Sequence, residues 1–178
     1  MIQTHVITGF LGVGKTTTLQ HLLRQKPDHE KWAVLLNEFG KTGLDAVLLE
    51  NDGVVVTQIP GGCLCCAAEL PFQITLNKII RFEKPLRLFI EPSGLGHPDK
   101  IIELLQQDQY KEILSIKPVL TLVDMRHLSI DKYRQHDIYQ RQLAVAGVFI
   151  ANKSELAKSE NVADFEVLLQ QYQRHQKS

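Results

Sequence analysis

Short apolar runs alternate along the chain with longer segments in which apolar residues recur at helical spacing. Short apolar runs between turn residues indicate buried strands, and apolar residues repeating about every 3.6 positions indicate helices. The predicted strands are Ile2–Ile7, Trp32–Leu36, Val54–Gln58, Arg87–Ile90, Val119–Val123 and Val148–Ala151. The predicted helices are Lys15–Arg24, approximately Ala67–Phe82, Asp99–Gln107, Ile138–Ala146 and Asn161–His175.

This alternation of strands and helices predicts an α/β fold with a mostly parallel central sheet and helices on both of its faces. Several of the strands are almost unbroken in Val, Leu and Ile, which is typical of strands buried on both faces. The longest stretch without a predicted element runs from Phe39 to Gly53. In a compact domain such a segment is often a functional loop.

The size and charge of the chain narrow its class. It has 178 residues, of which 44% are hydrophobic, and this is enough for one domain with its own core. Lys and Arg together number 20, as do Asp and Glu, so the formal net charge is zero. Without a basic field to neutralise phosphates, we expect no nucleic-acid partner.

The cysteines and the apolar segments indicate the compartment. All three cysteines fall within four residues, at Cys63, Cys65 and Cys66, which is unlike a disulfide framework and favours a reducing compartment. The first residues do not resemble a secretory signal, and no apolar run approaches the roughly 18 residues that a membrane span needs. We expect a cytoplasmic, soluble protein without a membrane partner.

A phosphate-binding motif follows the first strand. Residues 9–16 read Gly-Phe-Leu-Gly-Val-Gly-Lys-Thr, a complete G-x-x-x-x-G-K-T pattern between a strand and a helix. Its glycines let backbone N–H groups converge on phosphate oxygens, and the helix N-terminus adds its positive dipole end. Lys15 is expected to reach the β- and γ-phosphates, Thr16 to ligate Mg²⁺ and Thr17 to contact the α-phosphate. The nucleotide-binding residues predicted here are Gly9, Gly12, Val13, Gly14, Lys15, Thr16 and Thr17. The alternative is a glycine-rich turn with a surface lysine.

A second candidate lies at the end of the predicted strand Arg87–Ile90, in the sequence Leu-Phe-Ile-Glu-Pro-Ser-Gly over residues 88–94. Ligands bind at this edge of open α/β sheets, so Glu91 is the candidate acid on the Mg²⁺ side. Gly94 is expected to bring a backbone N–H to the γ-phosphate and to make its loop sensitive to hydrolysis. The alternative is an ordinary acid at a strand end followed by a turn glycine.

A candidate base-reading element follows the last strand, where residues 152–155 read Asn-Lys-Ser-Glu. The pattern is similar to the Asn-Lys-x-Asp element of GTPases, with one extra methylene in the acid. Glu155 keeps the charge that accepts hydrogen bonds from guanine, but it moves the carboxylate. Asn152 is expected to brace the loop and Lys153 to cover the base plane, and the alternative is a polar turn before a helix.

The cysteine loop is a candidate metal site. Thiolates select zinc, copper(I) or similar ions, and three ligands leave one coordination position open. The helix predicted to begin near Ala67 would lower the pKa of Cys65 and Cys66. Because no fourth Cys or His stands nearby, transient binding is favoured over a structural zinc site. Buried packing and oxidant sensing are the alternatives, and His127 is a weaker metal candidate whose alternative is a packed histidine.

Five motifs in order identify a resemblance. The phosphate loop is followed by Asn37-Glu-Phe-Gly40, Gly62-Cys-Leu-Cys-Cys66, Glu91-Pro-Ser-Gly94 and Asn152-Lys-Ser-Glu155. In this order they resemble the CobW-type GTPases, SIMIBI-class proteins related to UreG and HypB. Residues 91–98, Glu-Pro-Ser-Gly-Leu-Gly-His-Pro, look most like the branch described as zinc chaperones.

The resemblance implies slow GTP hydrolysis coupled to capture and delivery of a divalent metal, zinc first and cobalt second, to client metalloproteins. It places GTP or GDP and Mg²⁺ on Lys15 and Thr16, and zinc on the three cysteines. It assigns residues 37–40 and Asp45 to a first switch, and Glu91 and Gly94 to a second. The catalytic residues implied are Lys15, Asp45, Glu91 and Gly94, and a homodimer is a candidate assembly.

Glu155 stands where the family pattern has Asp, and from the resemblance we expect the family's last strand and C-terminal domain to be absent from residues 1–178. We therefore expect residues 1–178 to be one nucleotide-binding domain that stops before that strand. Two other functions stay open: a phosphate-loop kinase acting on a small molecule, and a non-enzymatic zinc buffer or redox sensor.

Overall fold

Seven parallel strands form one sheet in the part of the chain that the structure describes. The carboxyl ends of four neighbouring strands lie at the edge that positions the candidate site. The structure is a computed structural model that describes residues 1–36, 53–59 and 69–175. The strands are β1 (Ile2–Gly9), β2 (Trp32–Leu36), β3 (Val54–Gln58), β4 (Arg87–Glu91), β5 (Leu114–Ile116), β6 (Leu120–Asp124) and β7 (Val148–Asn152). Their order is β3-β2-β4-β1-β6-β7, with β5 paired to β1.

The central strand β1 pairs with β4 along one side and with two strands along the other. Its first residues pair with β5, with Ile2 opposite Leu114, and its last residues pair with β6, with Ile7 opposite Leu120. Strand β5 was not predicted, because three residues are too few to show a period. The remaining six strands are confirmed, with ends that shift by up to two residues.

The helices flank this sheet. They are α1 (Lys15–Arg24), α2 (Glu69–Lys78, continued by a π-helical turn over Ile79–Glu83), α3 (Pro98–Leu105), α4 (Asp108–Lys111), α5 (Asp131–Arg134), α6 (Asp137–Ala144) and α7 (Ser159–His175). Short 3₁₀ turns cover Met125–His127 and Ser154–Leu156. The one-turn helices α4 and α5 were not predicted, and the predicted start of the second helix at Ala67 lies outside the described residues.

Two apolar clusters lie on opposite faces of the sheet, because successive side chains of a strand point to opposite sides. Val34 packs in the cluster that contains Leu19 and Leu23 of α1, whereas Leu35 packs in the cluster that contains Phe72 of α2 and Ile101 of α3. All five residues of β2 are buried, as a strand covered on both faces requires. The predicted α/β fold with helices on both faces is therefore confirmed.

A third cluster joins the sheet to the last helices. Val123 of β6 packs with Tyr139 and Leu143 of α6 and with Leu168 of α7.

Within the described ranges, no helix is both long enough and apolar enough to cross a bilayer.

Candidate functional site

Four strands end side by side at one edge of the sheet, and the last residue of each belongs to the candidate site. β1 ends at Gly9, β4 at Glu91, β6 at Asp124 and β7 at Asn152. Since all these strands are parallel, their carboxyl ends meet at the same edge, where open α/β sheets bind ligands.

The backbone of residues 9–14 adopts conformations that favour glycine. Gly9 has a φ of 143° and Gly14 a φ of 98°, and a Cβ atom at Gly9 would lie 2.6 Å from the Leu122 carbonyl oxygen. At Gly14 a Cβ atom would lie 2.5 Å from Asn152 Nδ2. Both glycines are therefore required by the close approach of neighbouring strand ends.

Helix α1 begins at Lys15, directly after this loop. Among the described residues, no side chain caps it with a hydrogen bond. Its first backbone N–H groups, together with the helix dipole, form the kind of anion site that binds phosphate groups. Thr17 lies in the first turn of α1 with its side chain exposed.

Lys15 is buried at this loop. Its ammonium donates to the carbonyl oxygen of Gly9 over 2.8 Å and to that of Phe10 over 3.2 Å. Because Lys15 is only 6% exposed, its charge lies inside the loop. A cation is therefore held at the loop, and its contact with a bound phosphate stays a prediction.

The two predicted Mg²⁺ ligands are brought together. The Thr16 hydroxyl donates to Glu91 Oε1 over 2.8 Å, although the two residues are 75 positions apart. Glu91 is fully buried at the end of β4. A hydroxyl and a carboxylate are hard oxygen donors of the kind that Mg²⁺ prefers beside nucleotide phosphates, so this pair fits the predicted metal.

Gly94 lies against the phosphate loop. A Cβ atom at Gly94 would lie 2.9 Å from the backbone nitrogen of Leu11, which leaves no room for a larger residue. Its carbonyl oxygen accepts a hydrogen bond from Gln142 Nε2 over 3.0 Å. The loop after β4 therefore contacts the phosphate loop, and the predicted contact of Gly94 with a γ-phosphate stays a prediction. Gln142 was not among the predicted site residues.

The base-reading element braces the phosphate loop. Asn152 Nδ2 donates to the carbonyl oxygen of Val13 over 2.6 Å, and Lys153 Nζ donates to that of Gly12 over 2.7 Å. Asn152 therefore contacts the phosphate loop, and its part in binding a base stays a prediction. Glu155 lies in the following 3₁₀ turn and is exposed, which leaves its carboxylate accessible to a ligand.

A buried acid, Asp124, contacts this element and was not among the predicted site residues. Arg126 contacts both of its carboxylate oxygens, at 3.0 and 2.8 Å, and Lys153 Nζ lies 3.1 Å from Oδ2. Burial raises the pKa of Asp124, but the hydrogen bonds from Arg126 and Lys153 outweigh burial and hold that pKa well below its ordinary value. The acid is therefore charged at neutral pH. Its place at a strand end, like that of Glu91, is the signal that was available in the sequence.

His127 packs beside this acid. Its ring stacks on Tyr133 with a centroid separation of 3.9 Å, and its Nε2 lies 3.8 Å from Asp124 Oδ2. Burial lowers its pKa, and Arg126 and Lys153 act in the same direction against the opposing effect of Asp124. The ring is therefore mostly neutral at pH 7, and metal binding by His127 stays a prediction.

The predicted zinc ligands are not placed by the structure. Cys63, Cys65, Cys66, Asp45 and residues 37–40 all lie outside the described residues. Among the residues that are described, no group of three or more His, Cys, Asp or Glu side chains is arranged to hold a metal ion.

Comparisons with known proteins identify the family of the chain. A sequence model described as the CobW/HypB/UreG nucleotide-binding domain matches residues 3–178. The zinc chaperone YeiR of Escherichia coli (strain K12) is 46% identical over 161 residues, which is 90% of this chain and 49% of the relative. The chain thus spans about half the length of this curated relative.

Solved structures show the same fold. The Zn(II)-bound YjiA GTPase from E. coli has a TM-score of 0.65 and 27% identity, covering 94% of this chain and 54% of that one. The hydrogenase maturation factor HypB from Archaeoglobus fulgidus has a TM-score of 0.62 and 19% identity, covering 94% and 76% of the two chains. The second likeness shows the fold alone, which is that of a phosphate-loop nucleotide-binding domain.

Proposed function

The chain belongs to the CobW/HypB/UreG family of nucleotide-binding domains, and on this premise we propose that it hydrolyses GTP to GDP and phosphate. We further propose that hydrolysis is coupled to capture of a divalent metal, zinc first and cobalt second, and to its delivery to a client metalloprotein. The observation that carries the proposal is a pair of hydrogen bonds that connect the phosphate-loop motif to Glu91 and to Asn152 at one edge of the sheet.

The phosphate loop and Lys15 would bind the β- and γ-phosphates. To reach them, the Lys15 ammonium would exchange its bonds to the Gly9 and Phe10 carbonyls for bonds to phosphate oxygens. Thr16 and Glu91 would hold Mg²⁺, which when bound neutralises charge that develops on the phosphate oxygens. Gly94 would direct a backbone N–H to the γ-phosphate, as its position beside Leu11 allows.

The base would bind at the loop after β7. Asn152 and Lys153 hold this loop to Val13 and Gly12, so a base bound there is fixed relative to the phosphates. The Glu155 carboxylate would accept hydrogen bonds from the N1–H and exocyclic amine of guanine. Adenine cannot donate in this pattern, and this difference supports GTP over ATP as the substrate.

The metal would bind at Cys63, Cys65 and Cys66. Three thiolates suit zinc and leave a coordination position open for transfer. In the chain, this loop lies between the residues proposed as a first switch, 37–40 with Asp45, and the second switch at Glu91 and Gly94. If nucleotide changes zinc affinity, zinc must change nucleotide affinity by the same factor.

A zinc titration tests this coupling. We would measure zinc affinity by calorimetry for the nucleotide-free protein, the GDP complex and the complex with a non-hydrolysable GTP analogue. Different affinities in the GDP and analogue complexes are expected. Equal affinities in all three states would refute the coupling, even if GTP is hydrolysed.

Two further measurements separate the alternatives. The double variant Cys65→Ser, Cys66→Ser should lose zinc binding and keep GTP hydrolysis, whereas unchanged zinc stoichiometry would exclude the thiol site. Phosphate release with GTP and with ATP, with and without small-molecule acceptors, tests for a kinase. Transfer of phosphate to an acceptor in place of water would contradict the GTPase proposal.

A further inference from the structure

A buried amide on α6 holds the backbone beside the phosphate loop. Gln142 is 1% exposed, and its Nε2 donates to the Gly94 carbonyl oxygen over 3.0 Å, across 48 positions of sequence. Because a carbonyl oxygen only accepts hydrogen bonds, this contact requires the amide NH₂ group to face Gly94. In the described part of the chain, Gln142 Oε1 is buried without a hydrogen-bond partner.

Gln142 is itself firmly placed. It lies inside α6, and its backbone carbonyl accepts a hydrogen bond from the Thr121 hydroxyl of β6 over 3.3 Å. The helix packs against both β1 and α3. The donor that faces Gly94 is therefore anchored to the strand between the phosphate loop and the base-reading loop.

Arg141, which precedes Gln142, holds the far end of the segment that begins at Gly94. Arg141 donates to Asp99 over 3.0 Å, and Asp99 lies in the first turn of α3, just after the loop that contains Gly94. A second bond over 2.8 Å ties Arg141 to Asp137 at the start of α6. Residues 94–99, which we call the Gly94 segment, are therefore held at both ends by adjacent side chains of one helix.

The held segment is in contact with the phosphate loop. A Cβ atom at Gly94 would lie 2.9 Å from Leu11 N and 3.0 Å from Leu11 Cα, so the two backbones already touch. A γ-phosphate bound in the loop would meet a segment whose position the Gln142 and Arg141 hydrogen bonds fix. Ordering a loop before its ligand arrives lowers the entropic cost of binding that ligand.

We propose that Gln142 is a positioning residue that holds the Gly94 segment against the phosphate loop, and thereby sets the preference for a nucleoside triphosphate over a diphosphate. The proposal rests on the proposed function, because it assumes that Gly94 meets the γ-phosphate. A diphosphate does not reach the Gly94 segment, so its affinity does not depend on the Gln142 bond.

The test compares two nucleotides across matched variants. Gln142→Leu keeps the approximate size of the side chain but removes the donor, and Gln142→Glu places a carboxylate against the Gly94 carbonyl. With Mg²⁺ present, both variants should bind a non-hydrolysable GTP analogue about five- to tenfold more weakly, the effect of losing about one hydrogen bond. GDP affinity should change less than about twofold, and Gln142→Glu should show the larger loss.

The control is Gln140→Leu, an exposed glutamine on the same helix whose amide donates to the Arg134 carbonyl. It should leave both affinities unchanged. Thermal unfolding by circular dichroism would establish that each variant is folded. A purely structural role would weaken both nucleotides equally, and an unchanged or equally reduced pair of affinities would overturn the proposal.

A second variant covers the case in which the Gln142 variants do not fold. Arg141→Ala alters a partly exposed side chain and releases the far end of the Gly94 segment, so the analogue should weaken about twofold with GDP unchanged. If Arg141→Ala leaves the ratio of GTP-analogue affinity to GDP affinity unchanged, the proposal is also overturned. Binding of the analogue is measured without hydrolysis, so a wild-type protein that binds both nucleotides but hydrolyses neither would refute the GTPase proposal alone.

Discussion

The Lys153 ammonium lies 3.1 Å from Asp124 Oδ2 and donates to the Gly12 carbonyl oxygen over 2.7 Å. One cation thus connects the end of β6 to the phosphate loop, and it does so from the residue that follows β7. Because Asp124 is fully buried, its charge has little water around it and depends on Lys153 and Arg126 for compensation. This contact links the phosphate loop to the base-reading loop.

The acid dependence of folding should report on Asp124. Its pKa in the folded state lies below the ordinary value of about 4, so the unfolded chain binds the proton more tightly. The stabilisation is therefore complete at neutral pH and is lost as the pH falls below about 4. Asp124→Asn should lower the free energy of unfolding at pH 7 by about 2 kcal/mol and should reduce the loss on acidification.

Urea denaturation at pH 7 and at pH 3.5 measures both effects. The matched control is Asp108→Asn, since Asp108 is 95% exposed and forms an ion pair with the exposed Lys111. The control should change the free energy of unfolding little at either pH. An Asp124→Asn variant that loses as much stability on acidification as the wild type would contradict this assignment.

Removal of the phosphate-loop cation should stop hydrolysis. Lys15→Ala deletes the charge proposed to meet the β- and γ-phosphates, a loss of several kcal/mol in the transition state, or about 100- to 1,000-fold in rate. Steady-state phosphate release is the measurement, with the exposed Lys111→Ala as a control that should hydrolyse normally. Near-normal turnover in Lys15→Ala would show that this lysine has another role.

The Thr16 hydroxyl should determine the requirement for Mg²⁺. Thr16→Val keeps the shape of the side chain but removes the oxygen that contacts Glu91, so about tenfold more Mg²⁺ should be needed for half-maximal hydrolysis. The control Thr18→Val changes the same residue type in the same helix. An unchanged Mg²⁺ titration for Thr16→Val would remove Thr16 from the metal site.

Base selectivity should respond to one methylene in the base-reading loop. Glu155→Asp restores the Asn-Lys-x-Asp spacing, and because residue 155 is exposed the change should cost no stability. We expect about a tenfold gain in GTP affinity relative to ATP, the contribution of one charge-assisted hydrogen bond. Competition binding measures the ratio, and Glu160→Asp, in the first turn of α7, is the control. A ratio that does not rise would mean that Glu155 does not read the base.

Much of the fold could be predicted because its signals are local. β2 is a continuous apolar run and β4 has an apolar centre at residues 88–90. The glycines and Lys15 define the turn from β1 into α1 within eight residues. β5 could not be predicted, because three residues carry no period and the strand exists only through pairing with Ile2 and its neighbours. The one-turn helices α4 and α5 were missed for the same reason.

The candidate site was predictable only where one segment carries the chemistry. Glu91 and Asn152 were found because each follows an apolar strand and matches a known motif. Gln142 and Asp124 were missed, since Gln142 lies in an ordinary helical segment and Asp124 is one acid among many. Their roles depend on neighbours that are distant in sequence, Gly94 and Lys153.

The sequence by itself determined the phosphate loop, its lysine and threonine, and the alternation of the longer strands and helices along the chain, because these depend on backbone geometry and apolar periods within a few residues. Only the tertiary structure decided that Thr16 contacts Glu91, that Lys153 bridges Asp124 and Gly12, and that Gln142 holds Gly94. The physical reason is that a hydrogen bond forms over about 3 Å, and strand order and helix packing decide which distant residues come that close.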